Sequence, residues 1–129
     1  MDEEKLQTIL DASGAFDLVK DARFRIYSYR DFGISIEIDA VCQKGRTVFV
    51  FECSRGPPDI SQLKERFLLF RINRITLVNN NVFLPYNSIR VFYCNLKSQR
   101  LVEFDEKGRI LKTSSYRNVG DLIEILRKL

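Results

Sequence analysis

Two hydrophobic periods alternate along this chain, and each predicts an element. Leu6, Ile9 and Leu10 recur at helical spacing between Asp2 and about Ser13. Glu3 and Glu4 sit in the first turn, where acidic side chains suit the helix dipole, and Gly14 is the expected stop. From about Arg23 to Tyr29 the period becomes two. Phe24 and Ile26 share one face while Arg23, Arg25, Tyr27 and Tyr29 share the other, the pattern of a half-exposed strand. Asp31-Phe32-Gly33 then turns into a hairpin, in which β-branched and aromatic residues flank Lys44-Gly45. Ile34, Ile36, Ile38 and Ala40 line one side of its first strand, and Phe49, Phe51 and Cys53 continue that side on the second. Val41, Val48 and Val50 line the other side. Strands apolar on both faces belong in the middle of a covered sheet.

Gly56-Pro57-Pro58 ends the second strand. Asp59 or Ser61 can cap a helix from about Ile60 to Arg71, with Leu63, Phe67 and Phe70 on one stripe and Lys64, Arg66 and Arg71 elsewhere. Arg74 to Val78 reads as a short strand. The strand–helix–strand order from Phe49 to Val78 is a crossover, which predicts that those two strands run parallel. Ile89 to Cys94 is a further strand. Leu101–Phe104 and Arg109–Thr113 flank Asp105-Glu106-Lys107-Gly108 as a second hairpin, and a helix from about Val119 to Lys128 closes the chain on Leu122, Ile125, Leu126 and Leu129. The expectation is an α/β fold with a central mixed sheet flanked by helices. No repeat or linker divides it, so residues 1–129 read as one domain.

Composition narrows the classes. With 45% hydrophobic and 29% charged residues the chain is globular, and 129 residues bury about two-thirds of their unfolded surface without staples. Neither a signal-peptide pattern nor an apolar run of spanning length is present, so no membrane association is expected. Cys42, Cys53 and Cys94 all fall in strand-like segments and read as buried thiols of a reducing cytoplasm. The absence of histidine excludes a Ser-His-Asp triad and histidine acid–base chemistry, and leaves no ordinary zinc site. Charge is uneven: seven basic and ten acidic residues up to Ser54, fourteen and seven after it. That is either solvated surface or an acidic half joined to a half that receives a polyanion.

The unusual feature is acid inside apolar strands. Glu37 and Asp39 share a face, and pairing Val41 with Val48 would set Asp39 opposite Val50 and Glu37 opposite Glu52. All three carboxylates would then project from one side. Facing like charges destabilise a sheet pair and desolvating them adds to the penalty, so a cation is expected there, with a divalent metal foremost.

A helix, three strands carrying E-x-D and then E-x-x after an apolar run, a helix and another strand together resemble the PD-(D/E)XK nuclease superfamily. The resemblance covers roughly residues 1–95, leaving about 96–129 as elaboration, and implies a restriction-endonuclease-like αβββαβ core. It places the signature Asp on Asp39 and the Glu of (D/E)-x-K on Glu52. In that family the two carboxylates bind Mg²⁺ (or Mn²⁺), which neutralises the scissile phosphate and lowers the pKa of a bound water. The lysine position falls on Ser54, a departure: a hydroxyl can hydrogen-bond but carries no charge. Lys64 on the following helix is the first substitute. Glu37 either completes a second metal position, accepts the proton of the attacking water, or pairs with Arg25.

Three readings follow. The chain is a metal-dependent nuclease, acting on DNA before RNA, with Arg55, Lys64, Arg66 and Arg71 as phosphate contacts. Alternatively it is a nuclease-like domain that binds nucleic acid or scaffolds a complex without cutting. The third reading is an unrelated α/β interaction module whose acids are paired with arginines. By analogy with the family a homodimer is expected, formed through the edge of the late hairpin.

Overall fold

The computed structural model describes residues 3–20, 24–27, 35–72, 76–77 and 86–129. Its elements in chain order are α1 (Glu3–Ser13), β1 (Leu18–Lys20), β2 (Phe24–Tyr27), β3 (Ser35–Ile38), β4 (Ala40–Lys44), β5 (Thr47–Ser54), α2 (Ile60–Ile72), β6 (Thr76–Leu77), β7 (Ser88–Asn95), β8 (Arg100–Phe104), β9 (Ile110–Ser115) and α3 (Val119–Arg127). The fold is α/β, and none of the described helices is long and apolar enough to cross a membrane.

A six-stranded mixed sheet in the order β1-β4-β5-β7-β8-β9 forms the centre. All neighbours run antiparallel except β5 and β7, which are parallel. The parallel crossover therefore exists but ends on β7. The short strand expected to receive it, β6, instead pairs antiparallel with β2 in a second sheet of order β3-β2-β6. The described residues of β6, Thr76 and Leu77, register with Tyr27 and Ile26, whereas the eight residues of β7 match the eight of β5 throughout.

Helices cover both faces of the large sheet. On one, Leu6, Ile9 and Leu10 of α1 and Leu122 and Leu126 of α3 pack on Ala40, Cys42, Phe49, Phe51, Phe92 and Cys94. Phe49, Phe51 and Phe92 stack there, with Phe51 and Phe92 centroids 5.0 Å apart. On the other face, Leu63, Phe67 and Phe70 of α2 pack on Val41, Val48, Val50, Val91, Tyr93 and Phe104. Full burial of side chains this size is worth about 1.5–3 kcal/mol each, which is what orders both layers. The three cysteines are free and buried, as their setting in the strands led us to expect.

The caps have local causes. Gly14 ends α1 at φ +64, with its N–H on the Asp11 carbonyl. Asp59 starts α2, its Oδ1 accepting from Gln62 N at 3.2 Å, and Asn118 caps α3 through Asp121 N at 2.8 Å. Arg127 Nε donates to the Ser13 carbonyl at 2.9 Å, tying the C-terminal helix to α1.

The first hairpin departs from its expected register. Its turn is Gly45-Arg46, closed by Lys44 across from Thr47, so Val41 faces Val50 and Gln43 faces Val48. Gly45 takes φ +57, a conformation that needs glycine. The first strand is also two strands. β3 belongs to the small sheet and β4 to the large one, and the chain bends between them at Asp39. The bend reverses the alternation: Ile38 joins the α2 face although Ala40, two residues on, joins the opposite face.

Candidate functional site

The bend decides where the acids go. Glu37, expected opposite Glu52, lies on β3 of the other sheet with its backbone directly across from Arg25; its side chain lies outside the described residues. Of the three expected carboxylates, Asp39 and Glu52 are the ones whose side chains lie among the described residues.

Those two are brought together. Asp39 sits at the entry to β4, Glu52 near the C-terminal end of β5, and the two side chains are within hydrogen-bonding reach of each other. Asp39 Oδ2 accepts from Cys53 N at 2.8 Å, which fixes its carboxylate against β5. Glu52 is 6% exposed and faces α2, where Arg66 Nε donates to its Oε1 at 2.9 Å. Burial pushes the Glu52 carboxyl up, Arg66 pulls it down and the nearby Asp39 carboxyl pushes it up again, leaving it at about 8. One arginine does not offset the burial of Glu52 beside a second carboxylate.

Pro57, Asp59 and Gln62 wall the pair on one side, and Ser54 and Tyr93 on the other, around an open cleft of ≈ 420 Å³. Tyr93 is across from Glu52 on parallel β7, so both lie at the carboxyl ends of parallel strands, where open α/β sheets place their ligands. Its hydroxyl lies 2.6 Å from Ser54 Oγ and donates to the Gly56 carbonyl. Asn95 Nδ2 reaches the same carbonyl at 3.4 Å. These bonds hold the Gly56-Pro57-Pro58 loop against β7 and keep the cleft mouth in shape.

The other expected residues are dispersed. Ser54, at the lysine position of the motif, is exposed at the cleft and bonded to Tyr93. Lys64 does not approach the carboxylates: its Cδ lies 3.2 Å from where a Cβ would stand on Gly108, so its stem packs toward the β8–β9 turn. Arg66, expected as an exposed phosphate contact, is 4% exposed and engaged with Glu52. Arg71 pairs with Glu106 at 2.5 Å on the surface. Arg55 stands exposed one residue past β5, beside the cleft.

Two participants were not anticipated, Arg66 in its buried role and Tyr93. Helical spacing carried a signal for the first: Arg66 lies three residues after Leu63 and four before Phe70, on the flank of the buried stripe. For Tyr93 the signal is the register of a parallel pair, which appears only once β7 is known to be the partner of β5.

The donor set suits a hard divalent cation. Asp39 and Glu52 offer carboxylate oxygens, and Mg²⁺ is ordinarily held by one or two carboxylates with water and substrate phosphate completing its shell. Among the described residues no cluster of three acidic or cysteine ligands forms. Comparison with family models, with curated proteins and with solved structures finds no match to this chain.

Proposed function

We propose that the chain is a metal-dependent nuclease that hydrolyses phosphodiester bonds of nucleic acid, DNA before RNA, on a restriction-endonuclease-like core. The observation that carries this reading is the adjacency of Asp39 and Glu52 at one end of the sheet, facing an open cleft. The element order supports it. With β2 and β3 taken as an excursion into the small sheet, α1-β1-β4-β5-α2-β7 runs helix, three strands, helix, strand, and its strands are consecutive neighbours in the large sheet.

Asp39 and Glu52 would hold Mg²⁺ or Mn²⁺, which supplies Lewis acidity toward a phosphate oxygen and toward water. The chain's own contribution is positioning. Cys53 N–H orients Asp39, and Arg66 orients Glu52 while lending a fixed positive charge to the buried side of the site. The Ser54 hydroxyl stands exposed at the cleft wall, where it can turn from Tyr93 to donate to a phosphate oxygen, while the Tyr93 O–H is taken by the Gly56 carbonyl. The same reading has two copies meeting along β9, the sheet edge that carries exposed Ile110 and Leu111.

A second reading, binding without cutting, is favoured by one observation. Ser54 replaces the motif lysine, and the cation beside the pair is an arginine, which does not give up a proton. A cleavage assay on labelled DNA and RNA in Mg²⁺ and Mn²⁺ separates the two. Nuclease function predicts metal-dependent products, lost at least a hundredfold in Asp39→Asn and Glu52→Gln. Intact substrate in both metals, with binding retained, leaves the second reading.

A further inference from the structure

Of the four cations expected to meet phosphate, the three on α2 are engaged elsewhere, Arg66 on Glu52, Arg71 on Glu106 and Lys64 against Gly108, which leaves Arg55. A different group collects at the cleft end of the sheet. Ser54, Asn95, Arg100 and Ser115 stand in one row across β5, β7, β8 and β9. Just beyond that row the chain leaves the sheet at Arg55, at the β7–β8 turn containing Lys97, and at Arg117. Neighbouring strands lie about 4.8 Å apart, so Arg55 and Arg117 are roughly 14 Å apart across the sheet end. The row lies two residues beyond Glu52 and Tyr93 on their own strands.

This surface is built to keep its charges outward. Asn95 Oδ1 accepts from Lys97 N and Ser98 N, both at 3.0 Å, and Gln99 takes φ 56, so the turn that presents Lys97 and Arg100 is held. Leu96 N donates to the Ser54 carbonyl at 2.8 Å and Tyr116 N to the Gln99 carbonyl at 3.0 Å, stitching the turn to both sides. Arg55, Lys97 and Arg100 are exposed and have no ion-pair partner among the described residues. Arg117 pairs with Asp121 yet keeps a side chain 90% exposed.

We infer that this sheet end is a phosphate-binding surface, and that the backbone of a nucleic acid crosses it over the β7–β8 turn, held by Arg55, Lys97, Arg100 and Arg117. The inference rests on the nuclease reading for the identity of the polyanion. Guanidinium and ammonium groups grip phosphate oxygens and carry no base information, so binding here is sequence-independent and salt-sensitive.

The test is fluorescence anisotropy of a labelled 20-base-pair duplex and of its single strand, with the whole chain in chelator, across a salt series. Lys97→Glu/Arg100→Glu should weaken duplex binding at least tenfold and lower the salt slope by about 2, since each lost phosphate contact removes about 0.9. The charge-matched Lys44→Glu/Lys107→Glu, at the opposite end of the sheet, should stay within twofold of wild type. Circular dichroism melts check that both variants fold. Equal weakening by the two variants, wild-type affinity in the Lys97/Arg100 variant, or no binding of either probe by wild type overturns the surface. Magnesium-dependent cleavage is measured on the same proteins. Wild-type cleavage with unaltered binding in the Lys97/Arg100 variant sinks the surface alone. Binding that depends on Lys97 and Arg100 without cleavage supports the surface and sinks hydrolysis.

Discussion

Arg66 reaches from α2 to Glu52 of β5, Nε to Oε1 at 2.9 Å, with both side chains buried. The relationship joins the crossover helix to the strand it follows and sets a fixed positive charge beside the Asp39–Glu52 pair. It also means that the site is partly neutralised from within.

Breaking this pair from the arginine side leaves a buried acid without its partner. Arg66→Ala should destabilise the fold by about 3–5 kcal/mol in urea unfolding above about pH 8, where Glu52 is ionised. Replacing both residues, as Glu52→Leu/Arg66→Met, should recover most of that loss, because apolar groups of similar volume need no partner. Additive losses in the double variant would show that the two residues do not act as a unit.

The acid side sets a pH dependence. In the metal-free chain Glu52 is held up to about 8 by burial, with Asp39 adding to the effect and Arg66 opposing it, whereas an unfolded glutamate ionises near about 4.3. Between those values the folded chain binds the extra proton. The Glu52 contribution to stability is therefore fully present below about pH 4 and is lost as pH rises through about 8. Melting temperatures in chelator, compared with Glu52→Gln, should show the difference between the two proteins shrinking or reversing across that window. A contribution that grows with pH contradicts the assignment.

Tyr93→Phe removes the hydroxyl that meets Ser54 and the Gly56 carbonyl. The loss should be about 1–2 kcal/mol, read by urea unfolding, with faster proteolysis in the 55–59 loop. Unchanged stability and unchanged cutting would mean that the loop is held without Tyr93.

Gly108 has φ +79, and a Cβ on it would meet Ile60 Cγ2 at 2.5 Å. Gly108→Ala should destabilise by more than about 1 kcal/mol, from the left-handed backbone and from the clash with α2. A neutral result in thermal melts would show that the β8–β9 turn can move away from the helix.

Much of the fold was legible because its long elements carry clean periods. α1, the β4–β5 hairpin, α2, the β8–β9 hairpin and α3 all stand close to where hydrophobic spacing places them. What was not legible depends on contacts distant in sequence. The bend at Asp39 interrupts a run that alternates perfectly from Ile34 to Ala40, so nothing local reveals that β3 leaves the large sheet and takes Glu37 with it. The three-residue β1 is too short to show a period. Similarly, the parallel partner of β5 could not be chosen between β6 and β7 from order alone. In the site, Asp39 and Glu52 were readable as acids in apolar strands, whereas Arg66 looked like surface because a lysine, an arginine and a glutamate around it, Lys64, Arg71 and Glu65, are surface.

Titration of Mn²⁺ into the whole chain at pH 8.5, followed by the paramagnetic resonance of free Mn²⁺, shows whether Asp39 and Glu52 together hold a divalent cation. One Mn²⁺ per chain is expected for wild type, displaced by Mg²⁺, with affinity reduced at least tenfold in Asp39→Asn and in Glu52→Gln. Absence of binding, or binding that survives both substitutions, would contradict such a site.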